Sequence, residues 1–257
     1  MTILITGGAR SGKSDFAEAA AARLADSGVY VATLEPLDEE MQERLKLHRQ
    51  QRAASGFDWR TIEEPHDLTD RLRELATGAG YEAARMGGSA ADVGRAAAQE
   101  SKLASDDGQV GPRLRDSDTE AELAADRLRL SGTGLGRASV PELRPPVVLV
   151  DCLTLWLTNR MLALEGAGGA WGEAEAAALA AETEQLIELC SSYPLPLLLV
   201  TNEVGGGLVP EYPLGRRFRD EAGRLNRRLA AVCERVYLVT AGIPVELKSI
   251  AARLDEL

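Results

Sequence analysis

The chain has 257 residues, enough for one large domain or two small ones around a well-buried core. A formal net charge of −11 with no visible basic footprint speaks against a nucleic-acid binder. Three cysteines, odd in number and set in apolar runs, read as reduced core thiols, and two histidines are too few to suggest a zinc site.

The start, Met1 to Thr6, lacks the charged and long apolar segments of a signal peptide. No stretch reaches the ~18 consecutive apolar residues of a membrane span, so a cytoplasmic location is expected. Thr2 to Thr6 reads as a strand, followed by a glycine-rich loop and a helix to about Leu24. Val29 to Thr33 is a second strand, then comes an acidic turn and a helix containing Met41 to Arg52. Val147 to Asp151, Leu197 to Thr201 and Val236 to Thr240 are further strands, with helices at roughly 153–165, 172–192 and 214–233. The strands are continuous β-branched and Leu runs, as expected where both faces of a sheet are covered. The βαβα order predicts an α/β fold: a mostly parallel sheet flanked by helices.

Residues 77–146 differ in character. They hold ten of the 25 glycines and one aromatic, Tyr81. Apart from a possible helix over Glu120 to Leu130, they read as a flexible polar insertion in a single domain spanning 1–257.

Gly7-Gly8-Ala9-Arg10-Ser11-Gly12-Lys13-Ser14 fits the phosphate-loop pattern G-x-x-x-x-G-K-[ST], with a strand before it and a helix after it. The glycines let successive N–H groups turn inward around phosphates, Lys13 reaches the β and γ oxygens, and the Ser14 hydroxyl suits Mg²⁺. The following helix points its positive end at the same anion. The class expected is a P-loop NTPase-like enzyme. Val147-Val148-Leu149-Val150-Asp151 supplies a carboxylate at a strand end, a Mg²⁺ ligand directly or through water, or else a helix N-cap for Leu153 onward.

Arg44, His48 and Arg52 recur at i, i+4 and i+8 and would share one helix face. A histidine between two arginines suits a phosphate, and an imidazole nitrogen is a competent nucleophile toward phosphorus. A solvated basic face is the other reading of the same spacing. His66, in Glu64-Pro65-His66-Asp67, reads as a surface or capping residue.

Together these motifs resemble the bifunctional adenosylcobinamide kinase/adenosylcobinamide-phosphate guanylyltransferases of cobalamin biosynthesis. The blocks that carry the resemblance begin with Ile5 to Ser14, Ala32-Thr33 with Asp38 to Met41, and Arg44 to Arg52. They continue with Trp59 to Glu64, Asp151 to Asn159, Val200 to Gly205 with Val209-Pro210, and Phe218 to Asn226. The resemblance implies phosphorylation of adenosylcobinamide by ATP or GTP, then transfer of GMP from GTP onto that phosphate. It makes His48 the residue that carries GMP covalently. It also implies nucleotide contacts at Ala32, Thr33, Leu34, Arg49, Gln50, Gln51, Arg52 and Glu63, a corrinoid substrate, and a homotrimer. Three departures stand out: Leu47-His48 where some members carry a His pair, Asp151 where others carry Glu, and the long insertion. A kinase without nucleotidyl transfer and a nucleotide-gated assembly module are the alternatives.

Overall fold

The computed structural model describes residues 1–35, 43, 50, 52, 54–77, 144–165 and 171–252. The expected helix across Met41 to Arg52 falls largely outside these residues, as do His48, Arg49, Gln51 and 78–143 of the insertion. All described residues belong to one compact unit, drawn from Met1–Val93 and Arg144–Leu257.

Seven strands form one sheet in the order β3-β2-β4-β5-β1-β6-β7. They are β1 (Thr2–Gly7), β2 (Ser27–Ala32), β3 (Asp58–Glu63), β4 (Val147–Asp151), β5 (Leu197–Val200), β6 (Arg235–Thr240) and β7 (Ile243–Glu246). Every neighbouring pair is parallel except β6 with β7. The helices are α1 (Lys13–Leu24), α2 (Leu68–Leu75), α3 (Leu153–Glu165), α4 (Glu173–Ser191) and α5 (Pro213–Val232). The mostly parallel sheet with flanking helices is the architecture that the βαβα order predicts.

The apolar runs are uninterrupted because each strand feeds two cores. Leu4, Val29, Val31, Val148, Val150, Leu197 and Leu199 join Leu72, Trp156, Leu186 and Leu229 on the face covered by α2 to α5. Their neighbours Ile3, Ile5, Tyr30, Ala32, Val147, Leu149, Leu198 and Val200 join Ala17 and Ala21 of α1 on the other face. Ala17 and Ala21 are wholly buried, and these small side chains let α1 lie close across β1, β4, β5 and β6. That seating fixes the start of α1 over the carboxyl ends of the central strands.

Three elements go beyond the sequence expectation: β3, α2 and β7. β3 alternates between exposed and partly buried residues, the signature of an edge strand covered on one face, and among the described residues it pairs with β2 alone. α2 is one short amphipathic stretch in which Leu68, Leu72 and Leu75 supply the whole buried face. Cys152, Cys190 and Cys233 are free and buried, as expected for core thiols.

Candidate active site

A cavity of about 570 Å³ opens at the carboxyl ends of the parallel strands, where ligands of open α/β sheets bind. Its floor is the phosphate loop: Ala9, Arg10, Ser11, Gly12, Lys13 and Ser14 all line it. Gly12 adopts φ 87°, a left-handed conformation that a side chain resists, and it stands at the N-cap of α1 with no side-chain cap. The first N–H groups of α1 are therefore left to an anion. Gly7 is needed for a different reason. A Cβ there would press into the Val239 carbonyl oxygen and come within 2.7 Å of Ser11 Oγ. Lys13 is buried, and its Nζ donates to the Gly8 carbonyl at 3.1 Å, bridging its own loop. A phosphate oxygen would offer this ammonium a stronger, charge-assisted acceptor.

The opposite wall comes from the ends of β2, β4 and β5. Ala32 and Leu34 line the cavity, as do Asp151 and Cys152. Asp151 lies in register with Ala32 on one side and Val200 on the other, so the sheet itself holds its backbone. Its Oδ2 accepts a hydrogen bond of 2.8 Å from the Tyr30 hydroxyl. Asp151 and Ser14 both present oxygen to one cavity, the hard donor chemistry that Mg²⁺ selects, so the residues present fit that ion.

The buried Arg52 completes the wall, with its guanidinium carbon 3.7 Å from the centroid of the Tyr30 ring. Burial drives the carboxyl pKa of Glu18 upward, Arg52 pulls it back, and Asp151 and Asp15 add to the rise. The Tyr30 hydroxyl is pushed well above its ordinary range, first by burial and then by the Asp151 charge.

Not every residue singled out from sequence reaches the cavity. Thr33 is wholly buried; its hydroxyl donates to the Cys152 carbonyl at 2.7 Å and accepts from the Cys152 N–H at 2.8 Å. Its carbonyl in turn accepts from Asn159 Nδ2 at 2.9 Å, so Thr33 ties β2 to β4. Glu63 is exposed at the end of β3, in register with Ala32, and is not part of the cavity wall. Gln50 is helical and exposed. His66 faces Glu35 across 3.4 Å, while its carbonyl accepts from Trp156 Nε1 at 3.0 Å.

Tyr30, Asp15, Leu155 and Asn202 line the cavity without having been singled out as site residues. Tyr30 is hidden inside an apolar strand, where its ring reads as core. Asn202 follows the tip of β5, and the rule that parallel sheets bind at carboxyl ends was the signal available for it.

The residues of the chain that match known proteins are these. Residues 3–81 and 136–247 match the family model described as cobinamide kinase / cobinamide phosphate guanyltransferase. The bifunctional adenosylcobalamin biosynthesis protein CobU of Escherichia coli (strain K12) is 32% identical over 253 residues, covering 96% of this chain and 100% of that protein. The protein of the same description, CobP, from Pseudomonas aeruginosa is 34% identical over 248 residues, with 96% and 98% covered. CobU of Salmonella typhimurium is 34% identical over 251 residues, with 96% and 100% covered. A cavity floored by a phosphate loop, a strand-end carboxylate and matches over most of the chain agree: it belongs to the cobinamide kinase / cobinamide phosphate guanyltransferase family.

Proposed function

We propose that this chain phosphorylates adenosylcobinamide with ATP or GTP and then moves GMP from GTP onto the new phosphate through His48. The observation that carries the reading is one cavity in which the phosphate loop, Asp151 and the buried Arg52 converge, in a member of this family.

In the kinase step the substrate hydroxyl oxygen attacks the γ-phosphorus, the bond from that phosphorus to the β–γ bridging oxygen breaks, and the nucleoside diphosphate leaves. Lys13 and the N–H groups at the start of α1 hold the phosphates and take up charge on the leaving group. Ser14 and Asp151 are the residues that would hold Mg²⁺, which when bound neutralises charge on the phosphate oxygens. In the second reaction a neutral imidazole nitrogen of His48 attacks the α-phosphorus, forming an N–P bond and releasing pyrophosphate. A phosphate oxygen of adenosylcobinamide phosphate then attacks the same phosphorus, the N–P bond breaks, and His48 is regenerated. Arg49 and Arg52 hold phosphate oxygens in both displacements. Ala32, Leu34, Gln50, Gln51 and Glu63 complete the nucleotide contacts in this proposal, while Thr33, wholly buried with its hydroxyl bonded to Cys152, supports the site from behind. A cytoplasmic setting, a homotrimer, and one catalytic domain interrupted at about 77–146 belong to the same proposal.

GTP labelled at the α-phosphorus tests the scheme. Acid-labile label on the wild-type chain and none on His48→Ala are expected; no label on either removes the transfer mechanism and leaves a kinase.

A further inference from the structure

Tyr30 stands where the two halves of the cavity wall meet. It is 5% exposed, and its side chain lies on the α1 face of the sheet. Its ring stands perpendicular to that of Trp59, with centroids 5.9 Å apart, a contact that restrains the plane. One ring face carries the Arg52 guanidinium, and the hydroxyl donates to Asp151 Oδ2. A packing role alone accounts for the ring and leaves the hydroxyl unexplained. It also leaves Arg52 only partly explained: Glu18 feels the charge of this buried guanidinium, yet its Nε has no hydrogen-bond partner among the described residues. An unmet N–H on a buried cation is costly unless an acceptor arrives to meet it. The aromatic face lowers that cost while leaving the N–H groups available to a ligand.

We propose that Tyr30 is a positioning residue for both transfers, its hydroxyl aiming the Asp151 carboxylate into the cavity and its ring holding Arg52 against the same cavity. The proposal rests on the reading above for what the two partners do. It assigns separable tasks to one side chain. The hydroxyl serves the carboxylate that would hold Mg²⁺, and the ring serves the guanidinium four residues beyond His48 in the chain. Aiming matters for Asp151 in particular: a carboxylate free to rotate would meet a ligand with its oxygens misplaced, and a fixed donor removes that freedom.

Two variants of the full chain separate the tasks. Tyr30→Phe keeps the ring and loses the hydroxyl, whereas Tyr30→Leu loses both. Equilibrium binding of a fluorescent GTP analogue is measured across a Mg²⁺ titration, alongside thermal unfolding and the rate of label uptake from α-labelled GTP. In Tyr30→Phe the Mg²⁺ midpoint for binding should rise roughly ten-fold, the loss expected for a hydrogen bond to a charged group, with labelling near wild type at saturating Mg²⁺. Tyr30→Leu should lose labelling by a further several-fold to about thirty-fold even at saturating Mg²⁺. Arg52→Gln should then cost less in the Tyr30→Leu background than in the wild type, since part of the guanidinium's placement is already lost. A wild-type Mg²⁺ midpoint in Tyr30→Phe, or a loss that is uniform at every Mg²⁺ concentration, overturns the aiming role. Wild-type labelling by Tyr30→Leu overturns the Arg52 role. A wild-type chain that takes no label overturns the transfer reading and the Arg52 role with it, while the Mg²⁺ titration still decides the Asp151 role.

Discussion

Asn226 on α5 clasps Thr201 and the next residue together: its Oδ1 accepts from Thr201 Oγ1 at 2.9 Å, and its Nδ2 donates to the Asn202 carbonyl at 3.1 Å. Thr154 completes the clasp by accepting from the Asn202 N–H at 2.6 Å. Asn202 lines the cavity, so this turn transmits the packing of α5 and α3 to the site. Asn226→Leu keeps the size, takes the donor from the Asn202 carbonyl and leaves the buried Thr201 hydroxyl with Thr154 alone at 3.3 Å, which should cost about 1–3 kcal/mol and weaken GTP binding. Thermal unfolding and a GTP binding isotherm measured together check this; Asn226→Asp, which retains the acceptor, should fall between the two.

Two adjacent glycines of the phosphate loop should behave oppositely. Gly7→Ala forces a Cβ into the backbone oxygen of Val239, and a strand carbonyl has little room to yield. Gly8→Ala places its Cβ in open space, with nothing within 4 Å. Lowered thermal stability or insoluble expression is expected for the first and a wild-type unfolding curve for the second. Equal stability of the two would show that the β1–β6 contact is looser than described.

Lys13→Met should separate binding chemistry from folding. Among the described residues the side chain makes one hydrogen bond, to Gly8, so its loss should cost the fold about 1 kcal/mol. Removing a preorganised donor from a transferring phosphoryl group costs about 10²–10³ in kcat. Circular dichroism melting set beside kinase turnover distinguishes the two effects; a melt that collapses together with activity would make Lys13 a structural residue.

These contrasts mark what a sequence can express. The phosphate loop is legible because its function is written in local backbone demands: glycine where the chain must turn, lysine at fixed spacing, a strand before and a helix after. Val147–Asp151 and α3 matched their expected bounds because buried strands and long helices announce themselves by apolar pattern. Tyr30 was invisible as a site residue because its significance depends on Asp151, 121 positions away, and no local pattern encodes that pairing. Thr33 shows the converse: a residue beside the site whose hydroxyl is taken up by the neighbouring strand end. The edge elements β3 and β7 were missed because a one-sided strand of four to six residues carries too few apolar positions to stand out.

Alkaline pH should unfold this protein progressively through its buried acids. Burial raises the Cys152 thiol from 9.0 to about 11, with the Asp151 charge adding to it, and raises Cys233 to about 12. Tyr30 moves the same way. Each group has a folded pKa above its unfolded one, so above pH 9 the unfolded chain releases protons that the folded chain retains. The stabilisation is complete below about pH 9 and is lost as pH rises toward 11 to 12. Urea midpoints measured from pH 8 to 11 should fall, and the fall should be shallower in Cys152→Ala. Iodoacetamide at pH 8 should leave all three thiols unmodified until the chain unfolds, as read by intact mass.

The family match stops at residue 81 and resumes at 136, which bounds the segment that can be removed without touching a matched residue. Both flanks of that cut keep their anchors. Upstream, Tyr193 donates its hydroxyl to the Leu72 carbonyl of α2 at 2.9 Å. Downstream, Arg144 binds the Arg23 carbonyl at 2.7 Å and Asp26 at 2.5 Å, docking the chain just before β4. Replacing 82–135 by a short Gly-Ser linker should therefore preserve thermal unfolding, kinase turnover and uptake of α-labelled GMP, since the entropy of closing a connection changes slowly with its length. A shortened chain that melts like the wild type yet no longer takes up label would give the segment a part in the transfer itself. Loss of kinase turnover with labelling intact would place that part at the corrinoid rather than the nucleotide.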